Sequence, residues 1–136
     1  MSRNFANKKV FVAIRKKNTS SRTIAKLIAE FATNKKADNI VILDMRKVVN
    51  FCDYFVICSA TSERRLKAIA DEIDQELGKR GVRARFARGK EESQWMLLDV
   101  GGVVVHIFTE DTRQFYGLEH LWQDAPHVNW KSKTSS

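Results

Sequence analysis

Apolar residues recur at Ile24, Leu27, Ile28 and Phe31, the i, i+3, i+4, i+7 stripe of an amphipathic helix, and Ser21 or Thr23 stands where a cap is needed. The spacing predicts a helix over 23–34, closed by Asn34-Lys35-Lys36. The run Asn39-Ile40-Val41-Ile42-Leu43-Asp44 then suits a strand buried on both faces, and Asp53-Tyr54-Phe55-Val56-Ile57-Cys58 repeats the signal. The stretch 45–52 between them is too short for a helical crossover, which predicts an antiparallel pair. A second helix opens at Thr61 or Ser62, carries the stripe Leu66, Ile69, Ala70, Ile73 and Leu77, and closes at Gly78 or Gly81. Val82 to Phe86 alternates charged and apolar residues like an exposed strand. Trp95 to Val100 and Val103 to Phe108 read as strands joined by Gly101-Gly102, a pair that supplies positive φ angles for a two-residue hairpin. Thr109 caps a third helix, with Glu110 and Asp111 in its first turn and Phe115, Leu118 and Trp122 on one face. Pro126 stops it.

The order helix, two strands, helix, three strands, helix predicts an α/β (α+β) domain: a mixed sheet of about five strands with helices mainly on one face. The other face then becomes a candidate partner surface. Strand alternation in Trp95-Met96-Leu97-Leu98-Asp99 sets Trp95, Leu97 and Asp99 against Met96 and Leu98. If Met96 and Leu98 meet the helices, Trp95 and Leu97 lie on the uncovered face as an interface; if both faces are covered, Trp95 is core.

Charge divides the chain further. The net charge of +8 over 136 residues is concentrated at the front, where residues 1–36 carry ten Lys or Arg against one acid, Glu30. Residues 37–130 carry twelve basic side chains against fifteen acids. A basic arm (1–22), a domain (23–125) and a polar tail (126–136) are therefore expected. Three readings of the arm stay open: a solvated tail, a phosphate-backbone contact, or a targeting peptide. The basic run Arg83, Arg85 and Arg88 is likewise a candidate RNA contact or a charged strand edge. The longest apolar runs, such as Ile40 to Leu43, fall far short of the roughly 20 residues of a membrane span, so no membrane partner is expected. Cys52 and Cys58 flank a predicted strand, which separates them by about 20 Å, too far for a disulfide. They read as buried thiols in a reducing compartment.

Candidate chemistry is sparse. His106, His120 and His127 fall on a strand, a helix and the tail, without the i, i+4 spacing of a zinc-binding pair. Asp71 and Asp74 sit one turn apart on the second helix, where solvated charge is the ordinary outcome. The stretch Cys58 to Arg65 runs from a strand into a helix N-terminus but holds no glycine to close around phosphate. With no nucleophile beside a base, no metal site, no cofactor and no catalytic residue is expected.

Taken in order, Asp38-Asn39-Ile40-Val41-Ile42-Leu43-Asp44, Asp53-Tyr54-Phe55-Val56-Ile57-Cys58-Ser59 with Ser62, Ala68-Ile69-Ala70-Asp71, Trp95-Met96-Leu97-Leu98-Asp99, Val104-Val105-His106-Ile107-Phe108 and Arg113-Gln114-Phe115-Tyr116-Gly117-Leu118-Glu119-His120-Leu121-Trp122 resemble the ribosomal silencing factor, or Iojap-related, family over about residues 23–125. The resemblance implies a nucleotidyltransferase-like topology without the catalytic carboxylates. It also implies binding to the large ribosomal subunit through its fourteenth protein, beside an intersubunit bridge, so that the small subunit cannot join and translation is repressed. Organelle relatives act in large-subunit assembly, and homodimers occur. The expected setting is cytoplasmic and ribosome-associated. Trp95, Arg113, Tyr116 and Leu118 match the family's signatures, and with Leu97 and His106 they form the expected contact set. Arg88-Gly89 departs from the usual Glu-Gly, reversing one charge near that surface. A cryptic nucleotidyltransferase using Ser59, Ser62 and Asp71 with magnesium is the alternative from another class.

Overall fold

A computed structural model of the chain describes residues 20–86 and 94–131. Helix α1 spans Ser21–Asn34, strand β1 Asp38–Asp44, strand β2 Tyr54–Ala60 and helix α2 Glu63–Lys79. Strands β3 (Arg85–Phe86), β4 (Trp95–Val100) and β5 (Val103–Thr109) follow, then the short helices α3 (Glu110–Tyr116) and α4 (Leu118–Leu121). The five strands form one mixed sheet in the order β1-β2-β5-β4-β3, with only β2 and β5 parallel.

Both long helices begin where a hydroxyl satisfies an amide left over by the first turn. Ser20 Oγ accepts from Thr23 N at 3.1 Å, and Ser62 Oγ accepts from Arg65 N at 3.0 Å. The cap of α1 is thus Ser20, ahead of the two residues expected from the stripe. Their apolar stripes, Ile24, Ile28 and Phe31 on α1 and Leu66, Ile69, Ala70, Ile73 and Leu77 on α2, are buried together against one face of the sheet. That face supplies Ile42, Tyr54, Val56, Cys58, Leu98, Val105 and Ile107.

β1 and β2 pair antiparallel, as the short connection requires. β2 is buried along its whole length because it lies second in the sheet, whereas β1 is an edge strand whose first residues are exposed. The expectation that β1 is buried on both faces is therefore corrected. Its outer edge is instead covered by the segment after Pro126. Asp44 N donates to Pro126 O at 2.8 Å, Val128 N donates to Ile42 O at 2.9 Å, and Trp130 Nε1 donates to Ile40 O at 3.3 Å. Val128 is buried and Trp130 packs on the helical core, so residues 126–131 belong to the domain and are not a polar tail.

At the β4–β5 hairpin only Gly101 takes a left-handed backbone, with φ +62°. Gly102 serves space: a Cβ there would meet Ser21 Oγ and Asp53 Oδ2, whose own hydrogen bond of 2.7 Å ties α1 to the start of β2. Of the expected strand Val82 to Phe86 only Arg85 and Phe86 pair, as β3. The expected third helix is broken at Gly117, which adopts φ +56° and turns the chain from α3 into α4.

Candidate functional site

The second face of the sheet collects Leu43 from β1, Phe55, Ile57 and Ser59 from β2, Val104, His106 and Phe108 from β5, and Trp95, Leu97 and Asp99 from β4. No long helix covers it. Its β1–β2 half is covered by Leu118, Trp122 and Ala125, and by Met45, Val48, Val49 and Cys52 of the 45–52 connection. Its β5–β4 half carries an aromatic layer. Trp95 lies 5.0 Å from Phe108 and 4.6 Å from Tyr116 between ring centroids, and Phe55 meets His106 edge-on at 4.6 Å and Trp122 at 6.3 Å. Such tilted and edge-on pairs match the quadrupoles of neighbouring rings and order the layer.

Trp95 and Leu97 do share a face opposite Leu98, as alternation requires, and both are half-buried. Tyr116, which packs on Trp95, is 45% exposed and its neighbour Phe115 80%; Leu121 and Phe51 are further exposed apolar groups, at 64% and 63%. Phe115 was expected on the buried stripe of one continuous helix. The break at Gly117 ends that register, leaving Leu118 and Trp122 on the core and Phe115 in solvent.

Two of the expected contact residues lie beneath this surface. Arg113 is buried, and its guanidinium forks onto both carboxylate oxygens of Glu119, Nε to Oε1 at 2.9 Å and Nη2 to Oε2 at 2.8 Å, while Nη1 donates to Ser59 Oγ at 2.7 Å. One side chain thereby joins β2, α3 and α4 across the Gly117 break. The bonds from Arg113 hold the Glu119 carboxyl below the usual carboxylate range. His106 is also buried; its Nδ1 accepts from Trp95 Nε1 at 3.3 Å, and its Nε2 has no hydrogen-bond partner among the described residues. Burial pushes its pKa down to about 4, so the ring is neutral near pH 7. Tyr116 and Leu118 flank Trp95 and the Phe55 cluster respectively.

Arg83 and Arg85 are exposed on and before β3, away from the aromatic layer's centre; Arg88 falls outside the described residues, as does residue range 1–19 of the basic arm. Burial raises the thiols of Cys52 and Cys58 to about 11 and about 12, which keeps both protonated and unreactive at neutral pH. Among the described residues no three His, Cys, Asp or Glu side chains gather as a metal site, and no helix is long and apolar enough to cross a membrane. Of the residues of the nucleotidyltransferase alternative, Ser59 is buried and bonded to Arg113, Ser62 caps α2, and Asp71 is exposed on α2 beside Lys67 at 3.5 Å. Sequence reading overlooked Phe55, Phe108 and Glu119. Phe55 and Phe108 were legible from strand alternation, whereas nothing in the sequence links Glu119 to Ser59.

The chain is thus a mixed α/β domain with its long helices on one sheet face and a half-buried aromatic layer on the other. Residues 18–136 match the family described as "Ribosomal silencing factor during starvation", and the chain belongs to that family. It is similar to a Bacillus subtilis protein named "Ribosomal silencing factor RsfS", at 39% identity over 107 residues, covering 79% of this chain and 91% of the relative. A crystal structure from Bacillus halodurans superposes with a TM-score of 0.69 at 36% identity, covering 79% of this chain and 98% of that one. A mouse protein named "Mitochondrial assembly of ribosomal large subunit protein 1" is 29% identical over 99 residues, covering 71% of this chain and 43% of the relative.

Proposed function

We propose that this protein docks on the large ribosomal subunit, at its fourteenth protein, through the face centred on Trp95, and that its bulk there keeps the small subunit from joining. The observation that carries the reading is the half-open aromatic layer: Trp95 against Tyr116, with Leu97 on the same strand face and Phe115 exposed next to Tyr116. Aromatic anchors on a rigid sheet, surrounded by apolar groups, are what concentrates binding energy at protein interfaces. Membership of the silencing family supports the ribosome as the partner and translation as the process regulated.

In this reading Trp95, Leu97, Tyr116 and Leu118 meet the partner directly or line its seat. Arg113 and His106 act from below, the first by fixing α3 and α4 on the sheet. Arg83 and Arg85 are exposed on and before β3, where ribosomal RNA would add a salt-dependent contribution, and Arg88, outside the described residues, is the third candidate. The apolar face would also serve a homodimer, which would then compete with docking. The working location is the cytoplasm.

The test is co-sedimentation of the purified protein with isolated large and small subunits. Selective pelleting with large subunits, abolished by Trp95→Glu while the circular dichroism spectrum is unchanged, is the expected result. Retained binding by that variant would remove Trp95 from the interface. A second reading, assistance in large-subunit assembly, is favoured by the name of the mouse relative. Accumulation of precursor particles on loss of the protein would select it.

A further inference from the structure

We propose that His106 is a positioning residue, a neutral imidazole whose proton-free Nδ1 holds the indole of Trp95 in the orientation that the exposed face presents. This rests on the docking reading only for its consequence, not for its geometry. An indole N–H can only donate, and the one on Trp95 donates to His106 Nδ1 at 3.3 Å. A nitrogen that accepts carries no proton, so the single proton of the neutral ring sits on Nε2.

Nε2 is buried and has no hydrogen-bond partner among the described residues. A buried N–H left unpaired is destabilising, and leucine or phenylalanine at 106 would avoid it. Stability alone therefore does not account for a histidine at this position, whereas a fixed acceptor for Trp95 does. The imidazole is itself immobilised. Phe55 meets it edge-on at 4.6 Å, and Phe108 lies parallel to it at 6.0 Å with an interplanar angle of 6°.

The sheet register makes the pair possible. Trp95 lies opposite Phe108 and Leu97 opposite His106, which makes Trp95 and His106 diagonal neighbours on one face, within reach of two long rings. The bond also sets which edge of the indole is turned inward. With Nε1 directed at His106, the ring lies against Phe108 and Tyr116, at 5.0 and 4.6 Å. Without the acceptor, the half-buried indole gains by turning its N–H to water, which pulls it off Tyr116 and rearranges the face.

The experiment compares wild type, His106→Leu and His106→Asn, the last placing an amide oxygen near the position of Nδ1. In a ¹H–¹⁵N spectrum the Trp95 indole resonance, assigned by its loss in Trp95→Phe, should move and broaden in His106→Leu and return in His106→Asn. Affinity for large subunits should fall about tenfold in His106→Leu and recover in His106→Asn. On a Trp95→Phe background, His106→Leu should have no further effect, since a residue acting through Trp95 has nothing left to position. An unchanged indole resonance in His106→Leu would overturn the proposal, as would an equal loss of affinity with and without Trp95. If the resonance behaves as expected but Trp95→Glu leaves subunit binding intact, the positioning role stands and the docking reading fails.

Discussion

Arg113→Ala is the substitution whose cost the structure specifies most fully. The side chain is 8% exposed and makes three hydrogen bonds, two to the Glu119 carboxylate and one to Ser59 Oγ. Truncation leaves the Ser59 hydroxyl, itself 1% exposed, without this donor and opens a cavity of guanidinium size beneath the α3–α4 turn. Glu119 suffers less, because at 37% exposure its carboxylate regains water. Losing bonds to a charged group and leaving a buried hydroxyl unpaired together cost about 2–4 kcal/mol. For a domain of this size each kcal/mol lowers the midpoint by about 4 °C, so a fall of about 8–16 °C is expected in thermal denaturation followed by circular dichroism. Glu119→Ala strands the buried guanidinium and should cost a similar amount. The double variant should be less destabilised than the sum, by roughly 1–2 kcal/mol, because the two residues form one unit. A midpoint for Arg113→Ala within about 2 °C of wild type, or full additivity with Glu119→Ala, would refute the clasp.

Other outcomes follow from single features. Gly102→Ala drives a methyl group into Ser21 and Asp53 and should cost about 1–3 kcal/mol in urea unfolding, more than Gly101→Ala, where the strain is a left-handed backbone in open space. Deleting residues 126–136 uncovers the edge of β1 and removes Val128 and Trp130 from the core, so the midpoint should drop and sedimentation should reveal self-association through the freed edge. His106 gives a pH signature. Its folded pKa, about 4, lies below the ordinary 6.5, so unfolding takes up a proton between these values and stability declines as pH falls from about 6.5 to about 4, by about 3 kcal/mol in all. His106→Asn should flatten that part of the stability profile; an unchanged slope would show that His106 is not its source.

The parts of the fold legible in the sequence were those written in periodic burial. The stripe of α2 specified which of its residues are buried, and alternation through Trp95 to Asp99 specified which residues share the open face. What the sequence hid was long-range or conformational. β1 reads as a doubly buried strand because Ile40 to Leu43 is uniformly apolar, and only the return of Val128 and Trp130 along its edge explains why an edge strand carries that composition. Gly117 could have been taken as a helix glycine, since its left-handed turn is settled by the Arg113–Glu119 fork closing around it. Of the expected contact residues, Arg113 and His106 prove to be buried, which their polar character conceals in the sequence.

Whether occupancy of one face of the large subunit excludes the small subunit can be read from subunit joining in a defined system. Purified large subunits would be saturated with the protein, mixed with small subunits, and followed by light scattering and gradient sedimentation. Joined ribosomes should fail to form in proportion to the protein bound, and Trp95→Glu should restore joining. Normal joining by large subunits that demonstrably carry the protein would contradict that exclusion.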